Sequence, residues 1–422
     1  MSGRVVWFVN HYVAESERDG RTSRHEQFAR LLGAHGWHAV LVGSSTVHPS
    51  GRQTLRGLTV RERRDAGTHE VVRVRGRRYG GPIGRVLDMA VFSALLLVPG
   101  VLRGLPRPDV VVGSSFHPIA ALAAAVLARR TGARFVFEPR DLWPETLIAL
   151  GGLSEGSLPV RALRIVERAL LRRADAVVSP LAGAGEYYAR FDATVPCTWI
   201  SNGTSAAPCR DVAPVEHGPG EFVVTYLGTV GRANALEAVV DAMSQPAITG
   251  LDVRVRLRVV GDGPALDGLR RRAAASPAAS SIEFTGRLPQ EKARAVGRAS
   301  DCLVANMRDL PLYRWGVAFN KLFEYARIGR PVVIGAAGPV PVFDDRTGVA
   351  VDADDPAALA EGIASVVRMR REDRAALAER ARKRLDAAYT YPVLTERLAD
   401  VLDGLAPPDP IPPTSLQKET RP

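Results

Sequence analysis

FVVTYLGTVGRANALEAVVDA, residues Phe222–Ala242, holds the pattern that decides the fold: an unbroken apolar and β-branched run, a turn with Gly228 and Gly231, and then a helical repeat. The run Phe222–Leu227 is apolar at successive rather than alternate positions, as in strands covered by helices on both faces. The same grammar continues through Val255–Val260, Ile282–Thr285, Cys302–Ala305, Pro331–Ile334 and Val349–Val351, each followed by a helical segment.

Working back toward the amino terminus, the pattern pauses over an Ala-, Pro- and Gly-rich stretch, Gly203–Gly220, which reads as a linker. Before it lie seven more strand signals: Val5–Val9, Ala39–Gly43, Val71–Val74, Val110–Val112, Phe135–Phe137, Ala176–Ser179 and Cys197–Ile200. Arg24–His35, Leu87–Arg103, Ile119–Arg130 and Val160–Arg173 carry apolar residues at helical spacing between them. The fold class is therefore α/β, with two doubly wound, Rossmann-like domains facing a central cleft. The boundaries expected are residues 1–203 for the first domain, 204–220 for the linker and 221–390 for the second domain. Residues 391–405 are expected as a helix crossing back to the first domain, and 406–422 as a disordered tail, because PPDPIPPTSLQKETRP is rich in proline and poor in apolar side chains.

Length and composition agree with this division. The 422 residues suit two domains of about 200 residues each, and 46% hydrophobic with 24% charged residues excludes collagenous or wholly disordered chains. The net charge of +11 is carried by arginine, since only Lys292, Lys321, Lys383 and Lys418 are lysines. Such a charge predicts attraction to nucleic acid, a membrane surface or a phosphorylated small molecule. Nucleic acid is disfavoured by an aromatic content of 6% and the lack of an aromatic–basic stacking segment. Cys197, Cys209 and Cys302 form neither a CxxC pair nor a spacing typical of a zinc site, and an odd count is a poor disulfide framework, so the reducing cytoplasm is the plain reading. No secretory signal is visible, and the apolar stretch Met89–Leu102, at 14 residues, falls short of the roughly 20 that span a bilayer.

In paired open sheets, ligands bind in loops at the carboxyl ends of strands. After the first strand a polar loop with Gly20 and Arg21 leads into a helix at Arg24 and His25, where Ser23 caps the helix or the loop cradles a phosphate. His117, in SSFHP, either caps a helix or bonds a substrate hydroxyl. In FEPRDLWPE, Arg140, Asp141 and Glu145 form an internal ion pair or bind a ligand. Gly228, Gly261 and Gly263 lie in turns where a nucleotide can approach bare backbone, yet neither turn makes the GxGxxG fingerprint, which disfavours a nicotinamide enzyme. In GVAFNKLFEYARIGRP, Lys321 and Glu324 share one helix face. They are a surface ion pair, or, with Asn320 opening the helix, they hold a diphosphate and ribose hydroxyls.

The ordered set FVNHY, SRHEQFARLLGAHGWHAVLV, SSFHP, FEPRDLWPETLIALG, ISNG, YLGTVGRANALEAVVDA, VVGDGP, FTGRLPQEKARAV and NKLFEYARIGRPVV resembles family-four glycosyltransferases, especially the O-antigen and capsule N-acetylhexosamine or fucosamine transferase branch. The resemblance implies a GT-B fold, a nucleotide-sugar donor, UDP-linked, on the second domain and an acceptor on the first. It also implies transfer with retention of configuration and neither cofactor nor catalytic metal. Carried over by position, His117 is the active-site histidine, Arg24 points toward the diphosphate, and Asp141 and Glu145 are cleft residues. Glu324 is the ribose-binding second glutamate of the Glu-x7-Glu pair. The first glutamate falls at Gly316, and the two phosphate-binding cations fall at Thr229 and Asn234, leaving Arg232 or Lys321 to replace them. Arg287, in FTGRLP, completes the expected donor set of Gly228, Arg232, Gly261, Gly263, Arg287, Asn320, Lys321 and Glu324. The alternatives are a GT-B sugar-nucleotide epimerase and a non-enzymatic protein that binds anionic surfaces.

Between Arg52 and Arg85 ten arginines face Glu62, Asp65 and Glu70, a local charge of +7, directly before the Met89–Leu102 stretch. Either this is an ordinary buried helix beside solvated arginines, or the face docks on the anionic inner leaflet, as a peripheral protein, and admits a polyprenyl-linked glycan acceptor.

Overall fold

A computed structural model of the chain describes residues 3–13, 23–48, 50–64, 67–115, 117–191, 194–205 and 220–406. Its first half contains strands β1 Arg4–Val9, β2 Trp37–Ser44, β3 Thr46–Val47, β4 Arg52–Gln53, β5 Thr59–Arg64, β6 His69–Val74, β7 Val110–Ser115, β8 Arg134–Pro139, β9 Ala176–Ser179 and β10 Cys197–Trp199. Eight of these form one sheet in the order β10-β9-β8-β7-β1-β2-β6-β5, parallel except for the β5/β6 edge pair, while β3 and β4 make a small antiparallel ribbon. The helices are α1 Arg24–Leu32, α2 Gly81–Leu96, α3 Pro118–Thr131, α4 Glu145–Ala149, α5 Leu158–Arg173 and α6 Ala184–Ala189.

β1 shows why its sequence, RVVWFV, has no polar alternation. Val6 and Phe8 point into a core with Phe28 and Leu32 of α1, while Trp7 and Val9 point into the opposite core with Phe92 of α2 and Ala124 of α3.

The second half repeats the design with β11 Glu221–Leu227, β12 Arg254–Val260, β13 Ile282–Gly286, β14 Cys302–Asn306, β15 Val332–Ala336 and β16 Val349–Asp352, all parallel. Their order, β13-β12-β11-β14-β15-β16, reverses direction between β11 and β14, which is where such sheets bind ligands. Helices α7 Leu236–Ala242, α8 Pro246–Thr249, α9 Leu266–Ala274, α10 Gln290–Arg298, α11 Asn320–Ile328, α12 Pro356–Arg368 and α13 Arg371–Ala388 complete it. The last helix, α14 Tyr391–Asp403, lies against the first sheet, with Leu394, Leu398 and Leu402 beside Phe28 and Leu32. Asp403 accepts from Trp37 Nε1 at 2.7 Å.

Two local readings need correction. The helix expected over Leu87–Arg103 runs instead from Gly81 to Leu96, because Pro82 suits a first turn and Pro99-Gly100 halts the chain. β5, TVRERR, carried no apolar run: as an edge strand it buries one face only weakly. Most of the expected linker (206–219), the tail (407–422), Gly20, Arg21 and Asp65 lie outside the described residues.

Candidate active site in the interdomain cleft

The carboxyl ends of the two sheets meet around a cavity of about 1090 Å3. Tyr12, Arg24, Arg140 and Asn202 line it from the first domain, and Arg287, Arg294, Asn320 and Glu324 from the second. Five of these eight carry charge and only Glu324 is acidic, so the described lining of the cavity is electropositive.

α11 supplies the centre of the second wall. It begins at Asn320 after Phe319 with no side-chain cap, so its first N–H groups point unclaimed by side chains toward the cavity. Glu324, one turn on, receives both prongs of Arg294, Nε to Oε2 at 2.9 Å and Nη2 to Oε1 at 3.1 Å, and Glu291 anchors Arg294 from the far side at 2.7 Å. A fork–fork pair of this kind fixes the carboxylate's direction.

Lys321 turns the other way, into the loop after β11. Its ammonium bonds the amide oxygen of Asn234 and the hydroxyl of Tyr226, and lies over the rings of Tyr226 at 4.8 Å and Phe319 at 5.3 Å. All these partners are neutral, and burial pushes the ammonium down to about 7. Lys321 thus reaches Asn234, one of the two places where the resemblance expects a phosphate-binding cation. Arg232 is exposed in the same turn, and its carbonyl accepts from Arg308.

Gly228, Gly261 and Gly263, expected in the donor set, have a close partner that the sequence does not reveal. The loops after β11 and β12 are zipped together, Gly228 N to Val260 O at 3.0 Å and Val230 N to Asp262 O at 3.0 Å. A Cβ on Gly261, at φ +153°, would lie 1.8 Å from the Gly228 carbonyl oxygen, and one on Gly263 would meet Val230. Loop-on-loop packing is sufficient reason for these glycines.

On the first wall, Arg24 lines the cavity but spends its guanidinium within its own domain, on Asn202 Oδ1 and Ile200 O at 3.0 Å each and in an ion pair with Glu138 at 3.1 Å. Glu138 is held well below the usual carboxylate range by His25 and Arg24, against the opposing effect of burial. Arg140 has no hydrogen bond or ion pair from its guanidinium among the described residues, and it faces the cavity. Asp141 is exposed beside it, and Glu145 is tied to Arg164 at 3.1 Å.

His117 is buried behind this wall and caps α3, its Nδ1 accepting from Ala120 N at 3.3 Å. That leaves Nε2–H to donate to His11 Nδ1 at 2.9 Å, and His11 Nε2–H to donate to Asp88 at 2.9 Å. Asp88, fully buried, also accepts from Thr46 at 2.9 Å and the Arg77 amide at 2.7 Å. Both ring nitrogens of His117 are engaged inside the protein, and burial holds its basicity well below that of a free histidine.

Gly316, where the resemblance places the first glutamate, lies at the junction of the two domains. Gly316 has φ +98°, and a Cβ there would stand 3.0 Å from Ala182 N of the first domain. Around it Gly183 N donates to Trp315 O at 2.8 Å and Asn202 Nδ2 to Ala318 O at 2.9 Å. The two domains touch where a longer side chain would have to pass.

Arg294 and Asn202 stand in the sequence motifs without a role of their own, and Arg140 is read there only as one of three charges that pair with each other or bind a ligand. Nothing in local spacing links Arg294 to a glutamate 30 residues later.

The chain's two halves match two family models: "Glycosyl transferase 4-like domain" over residues 20–203 and "Glycosyl transferases group 1" over residues 221–369. A curated relative, the probable glycosyltransferase WbjE of Pseudomonas aeruginosa, is 23% identical over 322 residues, 73% of this chain and 78% of its own length. Among solved structures, sucrose-phosphate synthase from Thermosynechococcus elongatus superposes with a TM-score of 0.69 at 16% identity, covering 96% of this chain and 99% of that one. HepE of Anabaena, in complex with UDP and glucose, gives 0.61 at 13% identity, covering 95% and 99%.

Proposed function

From the premise that the chain is a glycosyltransferase with the GT-B fold, we propose that it moves a hexose or N-acetylhexosamine from a UDP-sugar to a lipid-linked or natural-product glycan, with retention of anomeric configuration. The observation that carries this reading is Lys321: a cation with only neutral partners, beside the uncapped start of α11 and one turn from Glu324. A buried ammonium without a counter-ion is costly, and a diphosphate offsets that cost. UDP is favoured over other nucleotides because HepE, of the same fold, holds UDP and glucose.

In this reading the donor diphosphate lies against Lys321 and the first N–H groups of α11, and Glu324, aimed by Arg294, accepts from ribose hydroxyls. Arg140, with Asn202 beside it, faces the donor from the acceptor wall. The acceptor hydroxyl oxygen bonds to the sugar's anomeric carbon on the face that the phosphate leaves, and the departing phosphate oxygen takes the hydroxyl proton. No base and no metal is needed; the protein supplies positioning and positive charge.

The membrane belongs to the same proposal. On α2, Ile83, Val86 and Leu87 are 80%, 57% and 43% exposed, next to Arg77 and Arg78. An anionic bilayer complements both features. The arginines on β5 and β6 contribute less, since Arg61 and Arg73 pair with Glu70 and Glu62.

A thermal-shift screen against UDP-, GDP- and dTDP-sugars tests the donor, and NMR of the product's anomeric centre tests retention. Stabilisation by a GDP-sugar alone contradicts the UDP assignment, an inverted product contradicts the front-face route, and epimerised donor without acceptor points to an epimerase. Equal co-sedimentation with phosphatidylcholine and phosphatidylglycerol vesicles removes the electrostatic part of membrane docking.

A further inference from the structure

A second cavity, of about 810 Å3, opens at the amino ends of β9 and β10, the side of the first sheet away from the cleft, and shares no lining residue with it. Arg168 and Arg172 reach it from successive turns of α5, and Arg190 and Phe191 from the end of α6. Among the described residues none of these three arginines forms an ion pair. Arg168 lies over the ring of Phe191 at 5.8 Å, and Arg190 lies over Tyr187 at 5.8 Å and over Trp315 of the second domain at 5.7 Å.

Asp175, the one carboxylate among the cavity's described lining residues, is already committed: it accepts from Arg134 at 2.9 Å and from the Phe135 amide at 2.8 Å. Glu167, on the buried face of the same helix, is pushed up to about 8 by burial and by Glu145, so it offers little negative charge at neutral pH. Three arginines lining one concavity, with no ion pair among the described residues, offer the planar, two-pronged donors that recognise a phosphoryl group.

We propose that this cavity is a second anion site, taking the phosphate or diphosphate group of a ligand other than the donor held in the cleft. That group comes from a soluble phosphate ester or from a lipid headgroup; α5 also exposes Leu158 and Ile165, which an acyl surface would cover.

The test uses the full chain carrying Lys321→Met, which removes the cleft's ammonium, titrated calorimetrically with inorganic pyrophosphate, with and without Arg168→Ala/Arg172→Ala. In parallel, co-sedimentation with phosphatidylglycerol and phosphatidylcholine vesicles is measured with and without the same pair. The site is expected to bind pyrophosphate, and the pair to weaken that binding about 10- to 100-fold, as loss of charge-assisted bonds implies. A loss confined to phosphatidylglycerol vesicles assigns the phosphoryl group to lipid. Arg190→Gln, on a different element, is expected to act in the same direction, and all variants with Lys321 intact are expected to keep the nucleotide-sugar thermal shift. Pyrophosphate and vesicle binding both unchanged by the substitutions would overturn the proposal.

Discussion

Arg294 holds both carboxylate oxygens of Glu324, at 2.9 and 3.1 Å, across the gap between α10 and α11. The pair is partly exposed, 24% and 31% for the two side chains, so its value to stability is small. Its consequence is direction: a carboxylate gripped at both oxygens presents its remaining lone pairs to the cavity at a fixed angle. Arg294→Ala is therefore expected to leave the melting temperature nearly unchanged while raising the donor Kd about tenfold, a loss of ~1.4 kcal/mol. Calorimetric titration of a UDP-sugar checks it, and unchanged affinity would show that Glu324 needs no such support.

Lys321 predicts a pH dependence. Its ammonium sits at about 7 in the free protein against an ordinary value of 10.5, so between these limits the unfolded chain binds more protons than the folded one. Stability of the free protein is thus expected to rise with pH through that window, with the burial penalty in full force below it. A bound diphosphate restores the charge, so donor binding above pH 7 should take up a proton. Titrations in buffers of different ionisation enthalpy measure this uptake, and Lys321→Met should abolish it and weaken donor binding about 10- to 100-fold.

Gly316 carries the domain junction in a backbone conformation closed to other residues, φ +98° and ψ 168°. Gly316→Ala brings a Cβ against Ala182 N as well, and is expected to cost about 1–3 kcal/mol. Gly316→Glu should cost at least as much and should not improve transfer, since the junction occupies the space. Thermal unfolding and initial rates read the two effects separately.

Asp88 accepts from His11, Thr46 and the Arg77 amide while fully buried. Asp88→Ala strands all three donors and is expected to destabilise the first domain by about 3 kcal/mol or more. Because the chain His117–His11–Asp88 is closed on itself, His117→Asn, which can still cap α3, should lower stability more than it changes the donor Kd. A selective collapse in donor binding with an unchanged melting curve would contradict this.

The fold class was legible because strands buried on both faces write themselves as unbroken apolar runs, as in FVVTYL, and parallel strands need intervening helices. β5 was not, because an edge strand facing solvent alternates charge with weakly buried residues and resembles a polar loop. Lys321 and Glu324 stood out because one helical turn relates them. Their partners, Asn234 and Arg294, lie 87 and 30 residues away and are joined to them only by tertiary packing. The glycines were visible as residues without side chains, but what comes close to Gly261 is the carbonyl of Gly228. Sequence reports the vacancy and not its occupant.

The most direct test of a donor gripped by α11 is calorimetric titration of UDP into the unaltered chain and into Glu324→Ala. The account predicts micromolar binding in the first, weakened about 100-fold or lost in the second, with melting curves that coincide in the absence of nucleotide. Equal affinity in the two proteins would contradict it.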